Sequence, residues 1–187
     1  MKCSVFIATS ADGYIATEDG GVDWLDTAGR READPADNPD MGFAQYLSSV
    51  DCLIMGRKCM QKLSSFELSD EQWPYGDRRI IVLSRTLQEP PTNLRGRLEL
   101  YNGEIPQLIA DLQRQGLKHA YIDGGTTITS FLNLELIDEI CLTRAPVLLG
   151  GGIPLFGKTD RQIRLENARA TAFANDFVQV RYEVSYR

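Results

Sequence analysis

Histidine is nearly absent from these 187 residues: His119 stands alone, so a histidine-based triad or a multi-histidine metal site would have to be built around one imidazole. Cysteine is sparse, and Cys3, Cys52, Cys59 and Cys141 show no CxxC spacing. All but Cys59 sit in strand-like apolar surroundings, which predicts buried free thiols rather than disulfides or zinc ligands. No apolar run approaches the length of a membrane span. The start, MKCSVFIATSADG, has one lysine followed by strand-like alternation rather than a signal peptide, so the expectation is a soluble, cytoplasmic chain. There is no GK[ST] phosphate loop, and no GxGxxG opens a helix, which leaves the P-loop and Rossmann readings weak. Excess positive charge is missing as well. The net charge is -6, which argues against non-specific binding to nucleic acid or acidic membranes.

What is present is an ordinary globular composition, 43% hydrophobic and 25% charged, suited to one domain over residues 1–187 with a substantial core. The charge is local. Between Glu18 and Asp40 there are eight acids and two bases, Arg30 and Arg31, a sum of -6 that equals the value for the whole chain. The stretch Thr17 to Pro39 is rich in Gly, Asp and Pro, and a loop of that length is a functional lid or a disordered segment. Trp24 within it caps a pocket or anchors the loop.

Four strands end in the same way. Lys2 to Thr9 runs into Ser10-Ala11-Asp12-Gly13, with Tyr14 to Ala16 returning to apolar residues. Asp51 to Met55 ends at Gly56, followed by Arg57 and Lys58 at the start of a helix, and Arg79 to Leu83 ends in Ser84-Arg85-Thr86. His119 to Ile122 stops at Asp123-Gly124-Gly125, where Thr126 to Leu132 begins a helix. Adjacent glycines let a ligand approach the backbone, and helix N-terminal amides favour an anion such as a phosphate, although a tight turn alone also explains a Gly-Gly pair. The β-α-β alternation predicts a parallel sheet with helices on its faces, whose ligands bind outside the carboxyl ends of the strands. Glu104 to Gln115 reads as a helix closed by Gly116, Leu98 to Tyr101 and Leu136 to Thr143 as strands, and Ala170 to Phe173 with Phe177 to Tyr186 as an antiparallel hairpin at the sheet edge. Asn38-Pro39-Asp40 reads as a helix start, placing Phe43, Tyr46, Leu47 and Val50 on one face. The apolar stretch Ala145 to Phe156, broken by three glycines, is a weak phosphate loop or a self-association edge.

In order and spacing, SADGYIA at 10–16, LIMGRKC at 53–59, IIVLSR at 80–85, YIDGGTTI at 121–128 and APVLLGGGIPLF at 145–156 resemble the dihydrofolate reductase-like superfamily. The likeness is strongest to the reductase domain of bacterial riboflavin biosynthesis, the RibD C-terminal domain, and its stand-alone relatives. It covers nearly the whole chain. It implies an α/β, three-layer fold with a mixed, mostly parallel eight-stranded sheet, helices on both faces and a C-terminal antiparallel hairpin. It also implies a homodimer and an NADPH-dependent reductase. By motif, Ala8 and Ile15 would border the nicotinamide, and Gly56, Arg57 and Lys58 would approach the adenosine phosphates. Leu83, Ser84 and Arg85 would hold the 2′-phosphate, with Arg85 favouring NADPH over NADH. Asp123, Gly124, Gly125, Thr126 and Thr127 would cradle the pyrophosphate. Cys59 departs from the usual Thr after the two basic residues and removes a hydroxyl donor.

The resemblance places a catalytic carboxylate at Asp40, sixteen residues before Gly56, where the same residue is equally explained as an N-terminal helix acid. A ribosyl phosphate substrate calls for cations, and the acidic loop offers only Arg30 and Arg31. The expected activity is therefore hydride transfer to a pterin, a ribosylaminopyrimidine or a related small molecule. The alternative is an NADP(H)-binding protein that kept the fold without turnover.

Overall fold

The computed structural model describes residues 1–30, 32 and 40–187. In chain order the elements are β1 (Lys2–Ser10), β2 (Tyr14–Ala16), α1 (Trp24–Thr27), α2 (Phe43–Ser49), β3 (Cys52–Gly56), α3 (Arg57–Ser65), β4 (Arg79–Leu83) and β5 (Glu99–Tyr101). They continue with α4 (Ile105–Arg114), β6 (His119–Asp123), α5 (Gly125–Asn133), β7 (Glu139–Ala145), β8 (Ile153–Pro154), β9 (Arg164–Ala172) and β10 (Val178–Ser185). Eight strands form one sheet in the order β5-β4-β3-β6-β1-β7-β10-β9, parallel through β7 and antiparallel for the last two, while β2 and β8 pair separately.

The central strands are continuous apolar runs because both faces are covered. On one face α4 and α5 bring Leu108, Leu112, Ile128 and Phe131 against Val5, Ile54 and Ile122. On the other, α2 and α3 set Tyr46, Leu47, Met60 and Leu63 against Phe6, Leu53 and Tyr121. Burying each such large side chain contributes roughly 1.5–3 kcal/mol. This is the three-layer α/β architecture implied by the sequence motifs. Cys3, Cys52 and Cys141 are buried free thiols in its strands, and Cys59 is partly buried at the start of α3.

Boundaries move where local pattern is weakest. The first strand of the hairpin runs from Arg164 rather than Ala170, and all nine of its residues are exposed, so no inside–outside alternation marked it. β7 starts at Glu139 rather than Leu136, because the approach to it is held by Tyr186, whose hydroxyl donates to the Ile137 carbonyl at 3.0 Å and accepts from its amide at 3.1 Å. α2 begins at Phe43 behind Gly42, three residues after the acid expected in its first turn. Asn38 and Pro39 lie outside the described residues, as does Arg31. No helix among the described residues is long and apolar enough to cross a membrane.

Candidate active site

The site begins with a split in the sheet. β1 pairs with β6 only from Lys2↔His119 to Ser4↔Tyr121; beyond that β1 pairs with β7, and β6 with β3. The carboxyl ends of these two neighbours therefore part, leaving a cleft between Val5–Ser10 and the end of β6. At its base the Tyr121 hydroxyl donates to the Phe6 carbonyl at 2.9 Å. Below it, Ser4 Oγ lies 2.7 Å from His119 Nε2 and 2.8 Å from the Tyr46 hydroxyl, so the lone histidine is part of a structural network in which burial lowers its pKa.

Two strand-to-helix turns close on one another beside this cleft. A methyl group placed on Gly56 would lie 2.8 Å from Thr127 Oγ1, and one placed on Gly124 would overlap Cys59 Sγ. Gly124 also holds φ 92°, a value that side-chain-bearing residues rarely adopt. The glycines are thus what let the N-termini of α3 and α5, each nine residues long, converge. Their first amides have no partners one turn earlier, which makes the junction electropositive. Arg57 Nη1 donates to Thr86 Oγ1 at 3.3 Å, tying α3 to the turn after β4, where Ser84 Oγ accepts from the Leu87 amide at 3.1 Å. Arg85 pairs with Glu104 at 3.1 Å, but both side chains are 77% exposed, so that pair is weak and exchangeable. Lys58 and Thr126 are exposed, and Leu83 and Asp123 are half-buried at their strand ends. The Cys59 thiol, pushed up to about 12 by burial and by Asp123, stays neutral against Gly124.

The three glycines at 150–152 do a different job from a phosphate loop. Asp12 accepts from the Gly150 amide at 2.8 Å and the Leu149 amide at 3.2 Å, the Ala11 amide donates to the Val147 carbonyl at 2.8 Å, and the Leu155 amide donates to the Gly13 carbonyl at 3.0 Å. A methyl on Gly152 would overlap the Ala16 carbonyl. The segment is a clasp around the 10–16 loop, and it presses Ile15 toward α5, with Cδ1 3.4 Å from where a Gly125 methyl would be. The Ser10 hydroxyl and the Gly150 and Leu149 amides hold the Asp12 carboxyl below its ordinary pKa. Nothing local in the sequence marked Asp12 as the partner of a loop 138 residues away.

On the α2 face a cavity of about 380 Å³ opens beside Ala8. Phe6, Met41 and Phe177 form its walls, and Asp26, Arg30 and Asp40 are its charged residues. Gln179, which the sequence did not single out, fixes the wall by donating to the Met41 carbonyl at 3.0 Å and to Thr143 Oγ1 at 2.9 Å. Trp24 is an anchor: it is 9% exposed, packs with Ala145 and Phe177, and its indole nitrogen has no hydrogen-bond partner among the described residues.

Two carboxyls, Asp40 on the cavity wall and Asp123 at the end of β6, are shifted in opposite directions. Asp40 accepts from the Ala44 amide at 2.8 Å and the Gly42 amide at 3.0 Å, which cap α2 and hold the carboxyl below its ordinary range. Burial pushes Asp123 up to about 6, against the pull of the Gly124 amide. One carboxyl is a fixed anion and the other exchanges its proton near neutrality.

A family model described as the RibD C-terminal domain matches residues 2–179. The crystal structure of a candidate riboflavin biosynthesis protein from Shewanella sp. PV-4 is 39% identical with a TM-score of 0.88, over 99% of both chains. Two more distant structures share the fold. The deaminase/5-amino-6-(5-phosphoribosylamino)uracil reductase of Thermotoga maritima has a TM-score of 0.70 at 11% identity, over 98% of this chain and 56% of that one. Dihydrofolate reductase of Enterococcus faecalis, solved with NADP(H), has a TM-score of 0.63 at 13% identity, over 98% and 96%.

Proposed function

The chain belongs to the RibD C-terminal domain family, and from that premise we propose that it is an NADPH-dependent reductase that delivers a hydride to a small nitrogen heterocycle. The observation that carries this reading is the pair of glycine turns, Gly56 and Gly124, that bring two helix N-termini together next to Arg57, Lys58, Ser84 and Arg85. Backbone amides and guanidinium groups in that arrangement suit a polyanionic dinucleotide, and a close backbone approach needs the missing Cβ atoms. The chemistry NADPH supplies when bound is hydride transfer.

The residues of this chain do the rest. Arg57, Lys58 and Arg85 bind phosphate charge, with Arg85 and Ser84 next to a 2′-phosphate and thus selecting NADPH over NADH. Gly125, Thr126 and Thr127 offer the first amides of α5 to the pyrophosphate. Ala8 and Ile15 provide an apolar wall for the nicotinamide at the split between β1 and β6. Asp40 is the carboxylate that meets the substrate at the cavity wall and, as an anion, accepts from its ring N–H groups. The raised pKa of Asp123 supports a second assignment, in which Asp123 holds the proton and Asp40 remains the anion that orients a protonated ring nitrogen. The reading also includes a homodimer, which sedimentation at micromolar concentration tests.

Titration with NADPH and NADH, followed through the fluorescence of Trp24 and Trp73, tests the cofactor assignment. Tight NADPH and weak NADH binding is the expected result; binding of neither would end the reductase reading. NADPH binding without multiple turnover on any aminopyrimidine or pterin would leave a binding protein that kept the fold.

A further inference from the structure

The cavity beside Ala8 has an unusual balance of charge for a relative of enzymes that act on a phosphoribosyl compound. Its described charged residues are Asp26, Asp40 and Arg30. The arginine is already committed. Its Nε lies 2.8 Å from Asp176 Oδ2, and its amide donates to the Asn175 carbonyl at 3.2 Å. Gly29 packs so closely on the hairpin turn that a methyl group there would overlap the Asn175 carbonyl, so the backbone, rather than the exposed ion pair, fixes Arg30 against Asp176. The pairing offsets the cation, and among the described residues Asp26 and Asp40 have no cationic partner of their own where they face a slot with aromatic walls.

We infer that this site, read as the reductase site above, takes a flat heterocycle rich in N–H donors, uncharged or cationic, and rejects its phosphorylated form, with Asp176 as the residue that sets this choice by neutralising Arg30. The reasoning is electrostatic. A phosphate monoester carries nearly two negative charges at neutral pH, and two carboxylates within a Debye length repel it even in an open cavity. The ring's N–H groups meet acceptors at Asp26 and Asp40, so the charge that repels phosphate holds the base.

The test is calorimetric binding of a matched pair to the full-length protein saturated with NADP⁺: 5-amino-6-(5-phosphoribosylamino)uracil and its dephosphorylated ribosylamino counterpart. The dephosphorylated compound should bind about tenfold tighter or more at low salt, with the gap narrowing as salt rises. Asp176→Asn should improve binding of the phosphorylated compound roughly fivefold while moving its counterpart less than twofold. Asparagine tolerates the φ of 70° at this position, so the turn keeps its shape. Asp26→Asn should narrow the gap in the same direction. Equal or tighter binding of the phosphorylated compound to the unmodified protein overturns the inference, as does binding of neither compound or a ratio that Asp176→Asn leaves unchanged. Failure of the reductase reading shows separately, as absence of NADPH binding in a titration without either compound.

Discussion

Gly124→Ala tests the junction on which the cofactor reading rests. Two separate costs follow from the structure. Gly124 has φ 92° and ψ 134°, a region closed to residues with a Cβ, and forcing alanine into it costs about 1–3 kcal/mol. The added methyl also overlaps the Cys59 thiol, which must rotate or shift to make room; overpacking of this kind costs about 1–3 kcal/mol more. Together these predict a loss of about 2–6 kcal/mol. With a urea dependence of about 2 kcal/mol/M, the unfolding midpoint should fall by roughly 1–3 M. The double variant Cys59→Ala/Gly124→Ala removes the overlap but keeps the backbone strain, so it should be more stable than additivity allows, by about 1–3 kcal/mol. Urea denaturation of the four proteins of this cycle measures both terms. A Gly124→Ala protein within about 0.5 kcal/mol of the parent would refute the strain argument. A cycle with no coupling would refute the contact with Cys59. NADPH affinity should fall in both Gly124 variants, since the methyl stands where the backbone must be approached.

Three further outcomes follow. Asp123 is raised from 3.8 to about 6, so between these values it stays protonated in the folded chain while the unfolded chain ionises. Its contribution is complete below pH 4 and is lost as pH rises to about 6; Asp123→Asn should therefore gain stability over the parent across that window, by on the order of 2–3 kcal/mol, and a stability difference that is flat with pH would contradict the assignment. Asp40→Asn should depress turnover by about 10²–10⁴-fold while leaving NADPH binding intact, as expected for a carboxylate that orients and polarises the substrate ring, and unchanged turnover would remove Asp40 from the chemistry. Asp12→Ala should open the clasp, accelerating amide exchange at Leu149 and Gly150 and weakening NADPH binding through Ile15; protection identical to the parent would show that the glycine segment holds its shape alone.

Legibility followed sequence distance. The turns at Gly56 and Gly124, and the cations after Gly56 and Leu83, were readable because a strand stop, a glycine and a helix start are properties of neighbouring residues. The same locality explains why β9 and the start of α2 were misplaced: an edge strand exposed on both faces has no period, and α2 is capped by Asp40 from outside the helix. The triple glycine was visible, and its partner was not.

By itself the sequence determined the α/β layering, the order of the strand ends that carry Ser10, Gly56, Ser84 and Gly124, and membership of a reductase-like family, since these depend on local pattern and on motifs in series. Only the tertiary structure decided that β1 and β6 part after Ser4, that Asp12 holds the loop at Leu149 and Gly150, and that Asp176 pairs with Arg30. It also decided that the carboxyls of Asp123 and Asp40 are shifted in opposite directions, the first upward by burial and the second downward by backbone amides. Charge state and pairing are set by burial and by contacts across many tens of residues, and neither is written in the spacing of a motif.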